Sequence, residues 1–293
     1  MALLHSAPMR GIRFWVNDKN KLPILEVHYT ADPEKDPKTD KGLAWYKEMT
    51  EGSSEADVER EMEINWTARS GKRVYGEFRR DFLKPLQLNP ANDTIYRCWD
   101  FGYHHPACLW IQCDWNAVHR GFPRVFILKA VQGNDIELGT FASSQVLPAF
   151  AECKTLLGGP YKFTDCCDLA GTQRSDKTEK TSVDILNRLG VYPVYRRRGI
   201  KYGCDRVRAL IVAKQLYLNS EEQGCGEMAA GFLGAYIYPK HRPGITKEEA
   251  ETPERGNIHG HRMDCLRYLA INYLDGNARV PDEKEQILKM RRK

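Results

Sequence analysis

Three aspartates stand where a folded chain can bring carboxylates to one cleft. Asp100 closes the apolar run TIYRCWD (94–100) and begins the phrase DFG; Asp168 closes YKFTDCCD (161–168) and begins DLAG; Asp264 lies in HGHRMDCLRYL. A strand end is where a sheet presents polar groups, and a turn-forming glycine follows each of the first two aspartates, at Gly102 and Gly171. Carboxylates converging from distant chain positions repel one another and raise their pKa values unless a cation neutralises them. Hard oxygen donors suit Mg2+ or Mn2+. Two such ions about 3.5–4 Å apart can activate a water and stabilise the leaving oxygen of a phosphodiester. A plainer reading stands beside this one. Asp before Gly is a common turn pair, and at about 100° per residue Asp264 falls opposite the stripe Leu266, Leu269, Ala270 and Tyr273, as on a solvated helix face. Spacing alone leaves both readings open.

The elements that must position these residues divide the chain in two. Residues 1–90 are charge-rich and broken by Pro and Gly. ILEVHYT (24–30) reads as a strand, DPEKDPKTDKG (32–42) as a polar turn, 44–49 and 55–64 as short helices, and KPLQLNPAND (84–93) as a connector. From 91 to 293 the pattern changes. TIYRCWD, ACLWIQCD (107–114) and RVFILKAV (124–131) are three successive apolar runs that predict an antiparallel start. Then come a helix over 138–157, a strand over 161–168, a helix over 181–189 and a strand over 191–195. A helix over 205–218, a small strand over 235–238 and a last helix over 260–274 follow. Strands first and alternating elements after give an α/β domain with a mixed sheet flanked by helices.

Order and spacing of the motifs resemble one family. From Trp99 onward, WDFG between apolar strands, DLAGTQRSDKT and HxxDCLRYL are similar to the nuclease domain of tailed-phage terminase large subunits. HYTADPEKD, Trp45, SSEADVEREMEINW and GKRVYGEF resemble the end of that family's ATPase domain and its bridge to the nuclease. The resemblance covers most of the chain. It implies an RNase H-like fold over 91–293 and an N-terminal remnant over 1–90. It also implies endonucleolytic hydrolysis of double-stranded DNA with two Mg2+ or Mn2+ ions, a metal-bound water being the nucleophile. Asp100, Asp168 and Asp264 match the metal ligands, and His261, three residues before Asp264 and so on its helical face, matches an additional ligand or acid–base group. Leu169 stands where many relatives have Pro. Portal protein and small terminase subunit are the further partners implied, and the host cytoplasm the setting. Two rivals remain: another RNase H-like nuclease of the resolvase or transposase type, and a non-catalytic docking module of a packaging motor. No G-x-x-x-x-G-K-[ST] occurs, so no P-loop ATPase is expected in this chain.

Asp165, three before Asp168, is expected on the opposite strand face and off the site. Arg196, Arg197, Arg198 and Lys201, flanked by Tyr195 and Tyr202, and Arg174 and Lys177 after Asp168, suit DNA phosphates, the alternative being a solvated basic loop. His104 and His105 are either outer-sphere to a metal or structural. His259 and His261 lack cysteine partners for zinc, and Ser143-Ser144 lacks a G-x-S-x-G context. Phe14, Trp15 and Trp45 read as packing residues.

Composition bounds the rest. The 293 residues carry 44 Lys and Arg against 39 Asp and Glu, a net charge of +5 that is compatible with nucleic acid. Nine cysteines, none spaced C-x-x-C, read as reduced thiols rather than a disulfide framework. No apolar run reaches the roughly 20 residues of a membrane helix, and the N-terminus lacks the pattern of a signal peptide.

Overall fold

The apolar runs at 94–100, 107–114 and 124–131 form the middle of a sheet, as their β-branched and aromatic content requires. The computed structural model describes residues 11–17, 20–53, 58–65, 72–102, 104–148, 162–175, 178–239, 245–254 and 258–274. The chain divides into two compact units, Met1–Ser70 and Gly71–Lys293.

In the first unit, strands β1 (Ile12–Val16) and β2 (Pro23–Val27) pair antiparallel. Helix α1 (Asp40–Thr50) is capped by Thr39, whose side chain accepts from the Gly42 amide. The helix expected over 55–64 is represented among the described residues by one wide turn, Val58–Met62. Trp45 packs as expected, 5.5 Å from the Tyr29 ring and under the Lys35 ammonium. Phe14 and Trp15 do not: they are 66% and 41% exposed. A two-stranded ribbon has no second layer of its own to bury them.

The second unit is built on six strands. These are β3 (Leu83–Lys84), β4 (Thr94–Asp100), β5 (Ala107–His119), β6 (Phe122–Gln132), β7 (Lys162–Cys167) and, beyond the short hairpin β8 (Arg174–Ser175) and β9 (Thr178–Thr181), β10 (Leu216–Asn219). Their order is β3-β10-β6-β5-β4-β7. β5 runs antiparallel to β4 and β6; the remaining pairings are parallel. Between and after them lie α2 (Leu138–Phe141), α3 (Ser182–Arg188), α4 (Ile200–Val212), α5 (Gln223–Ala230), α6 (Lys247–Ala250) and α7 (Gly260–Asn272). The α/β architecture, a mixed sheet flanked by helices, is the one expected of an RNase H-like fold.

Strand alternation divides the core. Tyr96, Cys98, Leu109, Ile111 and Cys113 face a layer that includes Val207 and Leu210 of α4, Met228 of α5 and Leu266 and Leu269 of α7. Ile95, Trp99, Cys108 and Trp110 face a second layer with Phe141, Val146 and Leu186. α7 packs against α4 as well as β4 and β5, so residues from Arg262 to Asn272 are buried almost all round the helix. The eight described cysteines are free thiols, all buried.

Several boundaries differ from expectation, each for a local reason. The helix predicted over 205–218 begins at Ile200 and stops at Val212; Lys214 takes a positive φ of 55°. Leu216–Asn219 then alternates buried and half-buried and joins β6 as β10. The predicted strand at 191–195 is reduced to one parallel bridge, Val194 with Cys166, beside a proline that has no N–H to give. Ile237 likewise makes a single bridge, with Arg73. Part of the predicted connector pairs in the sheet as β3. Much of the predicted helix over 138–157 lies outside the described residues. Among the described residues no helix is long and apolar enough to cross a membrane.

Candidate active site

The parallel pairing of β4 and β7 sets the first two aspartates side by side. Trp99 is in register with Cys167, so Asp100 and Asp168 leave neighbouring strands at the same level. α7 packs against β4, β5 and β7 and supplies His261 and Asp264. All four line one cavity of about 530 Å3, together with Gly102, Tyr236, Glu254, Arg267 and Tyr268.

Asp100 is held on both oxygens. His261 Nδ1 lies 2.7 Å from Oδ2, the Gly102 amide donates to Oδ2 at 3.3 Å, and the Tyr268 hydroxyl donates to Oδ1 at 3.1 Å. The bond to Asp100 raises the pKa of His261 above its ordinary value, against the effect of burial. Asp264 is half-buried and faces the cavity, not a solvated helix face: it accepts at Oδ1 from Arg267 Nε at 3.2 Å and from Tyr236 OH at 3.3 Å, and Arg267 Nη2 pairs with the same oxygen at 2.9 Å. Burial raises its pKa, Arg267 opposes the rise, and the Asp100 charge adds to it. Burial also pushes the hydroxyls of Tyr236 and Tyr268 well up, so both remain donors. Asp168 receives no capping hydrogen bond from the turn it precedes.

The glycines after the two strand-end aspartates act by space rather than by an unusual turn, since neither has a positive φ. A Cβ on Gly102 would sit 2.6 Å from His261 Cε1 and 2.7 Å from His261 Nδ1; one on Gly171 would overlap the Phe101 ring. The absence of a side chain at Gly102 is what lets His261 reach Asp100.

Asp165 is directed away, as strand alternation predicts. It binds Arg97 through both oxygens, at 2.6 and 2.7 Å, and accepts from Trp99 Nε1 at 2.8 Å. His104 pairs with Asp135 at 2.8 Å, and the His105 ring lies 5.9 Å from that of His261. In the basic segment Arg197 and Arg198 are exposed and Arg196 is half-buried. Arg198 stands 5.7 Å over the Tyr202 ring, and Lys201 pairs with Glu251 at 2.8 Å. Ile200, between them, lines the cavity. Lys177 lies outside the described residues, as does the side chain of Arg174.

Sequence reasoning missed Tyr236, Glu254, Arg267 and Tyr268 as cavity residues. The last two lie within the HxxDCLRYL phrase that singled out Asp264; nothing local marks the others. The donor chemistry fits a hard divalent cation: carboxylates from distant chain positions face one cavity, and one of them has a raised pKa. Among the described residues no three His, Cys, Asp or Glu groups already close on one point as a metal cage. Asp100 and Asp264 are instead engaged by His261, Tyr268, Arg267 and Tyr236.

No protein-family model and no curated protein matches the chain. Solved structures do. The large terminase of a thermophilic bacteriophage is similar at 15% identity and a TM-score of 0.46, over 70% of this chain and 46% of that one. The same terminase in complex with ADP is similar over 81% of this chain and 53% of that one, with a TM-score of 0.46. The P22 large terminase nuclease domain is similar at 11% identity and a TM-score of 0.47, over 67% of this chain and 90% of that one. The chain spans about half the length of the thermophilic phage's terminase. Likeness at this level says nothing of chemistry.

Proposed function

We propose that the chain is a divalent-metal-dependent endonuclease that cuts double-stranded DNA during phage genome packaging. The observation that carries this is the meeting of Asp100, Asp168 and Asp264, from β4, the end of β7 and α7, in one cavity. In this reading those three carboxylates hold Mg2+ or Mn2+. Two such ions supply Lewis-acid activation for phosphodiester hydrolysis.

The chain's own residues do the rest. Tyr268 and the Gly102 amide orient Asp100. His261, whose pKa is raised by its bond to Asp100, is the candidate acid–base group or additional ligand beside that carboxylate. Arg197 and Arg198 contact DNA phosphates beside the cavity, with Arg196 and Lys201, and with Arg174 and Lys177 in the segment after Asp168. Phosphate contacts position a duplex without reading its bases, so cutting is expected to show little sequence preference. Portal protein and the small terminase subunit are the partners this role implies, and the host cytoplasm its setting.

Plasmid cleavage tests the proposal. Supercoiled DNA is incubated with Mg2+, Mn2+ or EDTA and with wild type, Asp100→Ala or Asp168→Ala. Metal-dependent nicking and linearisation are expected, with a loss of about a hundredfold or more in each variant, since metal activation contributes several kcal/mol to the transition state. In gel-shift titrations, replacing Arg196, Arg197 and Arg198 by Gln should flatten the log–log salt dependence by about 0.9 for each phosphate no longer neutralised. A folded protein that binds DNA but cuts nothing under any metal favours the docking-module reading. One observation supports that rival: Asp264 already has a protein cation as its partner.

A further inference from the structure

Arg267 is a charged side chain that is only 6% exposed, and it stands between two carboxylates of the cavity. Its Nε and Nη2 both reach Asp264 Oδ1. Its guanidinium lies 4.9 Å from the Tyr268 ring centre, and Nη2 donates to the Tyr268 hydroxyl at 3.5 Å. That hydroxyl in turn donates to Asp100 Oδ1 at 3.1 Å. One chain of contacts thus runs from Asp264 through Arg267 and Tyr268 to Asp100. Burial alone would push the Arg267 pKa down; the Asp264 charge outweighs it and holds the guanidinium protonated.

A second, independent feature shows that this position is built. Gly203 lies within α4, where glycine weakens a helix. A Cβ there would overlap Arg267 Cγ and Cδ, and would press on Ile271 Cδ1 as well. The bare backbone of α4 is the channel through which the Arg267 stem reaches the cavity. A helix that gives up a side chain there gains passage for the cation.

We infer that Arg267 is a positioning residue that serves as the chain's own cation at the candidate metal site, holding Asp264 against Asp100 until a divalent ion takes over that charge. The inference rests on the metal-dependent reading above. Like charges that converge in a buried cavity must be neutralised. Arg267 neutralises Asp264 in the metal-free protein, while His261 and Tyr268 engage Asp100. A divalent ion that binds Asp264 therefore competes with a fixed positive charge, and the affinity of the site is set below what its carboxylates would give alone.

The test measures Mn2+ binding, by the resonance signal of free Mn2+, on the full chain dialysed against EDTA. Wild type, Arg267→Lys, Arg267→Gln and Asp100→Asn are compared, and each is melted with and without Mn2+. Removing the fixed positive charge that pairs with Asp264 should tighten Mn2+ binding by about tenfold or more in Arg267→Gln. Arg267→Lys, which keeps the charge, should stay near wild type. Arg267→Gln should melt lower than wild type in EDTA and regain more of the difference on adding Mn2+. Unchanged or weaker Mn2+ binding in Arg267→Gln overturns the inference. So does an Arg267→Gln protein that stays unfolded with Mn2+ present, which would make Arg267 a packing residue. If wild type and Asp100→Asn alike bind no Mn2+, the metal-dependent function itself fails, and this inference with it.

Discussion

Arg97 and Asp165 form the buried ion pair that holds the two aspartate-bearing strands in register. They are direct partners across the parallel β4–β7 pairing, three residues before Asp100 and Asp168 respectively. Both are nearly dry, at 5% and 7% exposure, and the pair is two-pronged, with a third contact from Trp99 Nε1. Two charges so placed have lost their hydration, so removing one leaves the other uncompensated. The cost of breaking a buried pair from one side is about 3–5 kcal/mol. At about 2–4 °C per kcal/mol for a unit of this size, Arg97→Met or Asp165→Leu should lower the melting temperature by about 6–20 °C. The double variant Arg97→Met/Asp165→Leu buries no charge and should recover much of that loss, because apolar replacement of a whole buried pair is often near neutral. Urea titration of the four proteins gives the coupling energy directly. Single variants costing under about 1 kcal/mol, or costs that simply add in the double variant, would refute the claim that this pair holds the strands together.

Two further predictions concern His261. Its pKa is raised by the bond to Asp100, so the metal-free folded protein binds that proton more tightly than the unfolded chain. The stabilisation is therefore complete below the ordinary value of 6.5 and declines as pH rises from there through the folded value. Urea unfolding in EDTA across this window should show stability falling with pH in wild type, with a flatter course in His261→Gln; equal slopes would sink the assignment. Gly102→Ala drives a Cβ against the His261 ring and should displace it from Asp100. It should cost about 1–3 kcal/mol as overpacking and flatten the same pH dependence as His261→Gln; a variant with wild-type stability and slope would show that the ring has room to spare.

How much of this was legible in the sequence depended on whether a residue's role is local. β4 was readable from end to end because both its faces are buried, and the run TIYRCWD therefore carries its signal in every residue. The opposed directions of Asp165 and Asp168 followed from strand alternation alone. The boundary between α4 and β10 was not legible. Helical periodicity from Val207 to Leu218 continues through Lys214, and only the left-handed backbone there breaks it. Asp264 was ambiguous for a tertiary reason: its helix looks amphipathic on one stripe, yet α4 covers the other side, a packing that no periodicity within α7 can announce. Gly203 and Arg267 are 64 positions apart in the chain, and their dependence on each other exists only once α4 and α7 are packed.

The three carboxylates of the cavity have different electrostatic situations, although the sequence presents them alike. Asp100 shares a hydrogen bond with an imidazole and takes two neutral donors; Asp264 is matched by a guanidinium; Asp168 has neither among the described residues, and receives no cap from its own turn. Desolvation is most costly for a charge without compensation. Closing the cavity over a phosphodiester would therefore weigh most heavily on Asp168, and a cation entering with the substrate would relieve that cost first. On this argument Asp168→Asn should weaken metal-dependent stabilisation of the folded protein while leaving its metal-free melting temperature nearly unchanged. Asp264→Asn should lower the metal-free melting temperature as well, because it strands Arg267 in the protein interior. A fall in the metal-free melting temperature of Asp168→Asn as large as that of Asp264→Asn would mean that the two carboxylates are compensated alike, and the ranking would be wrong.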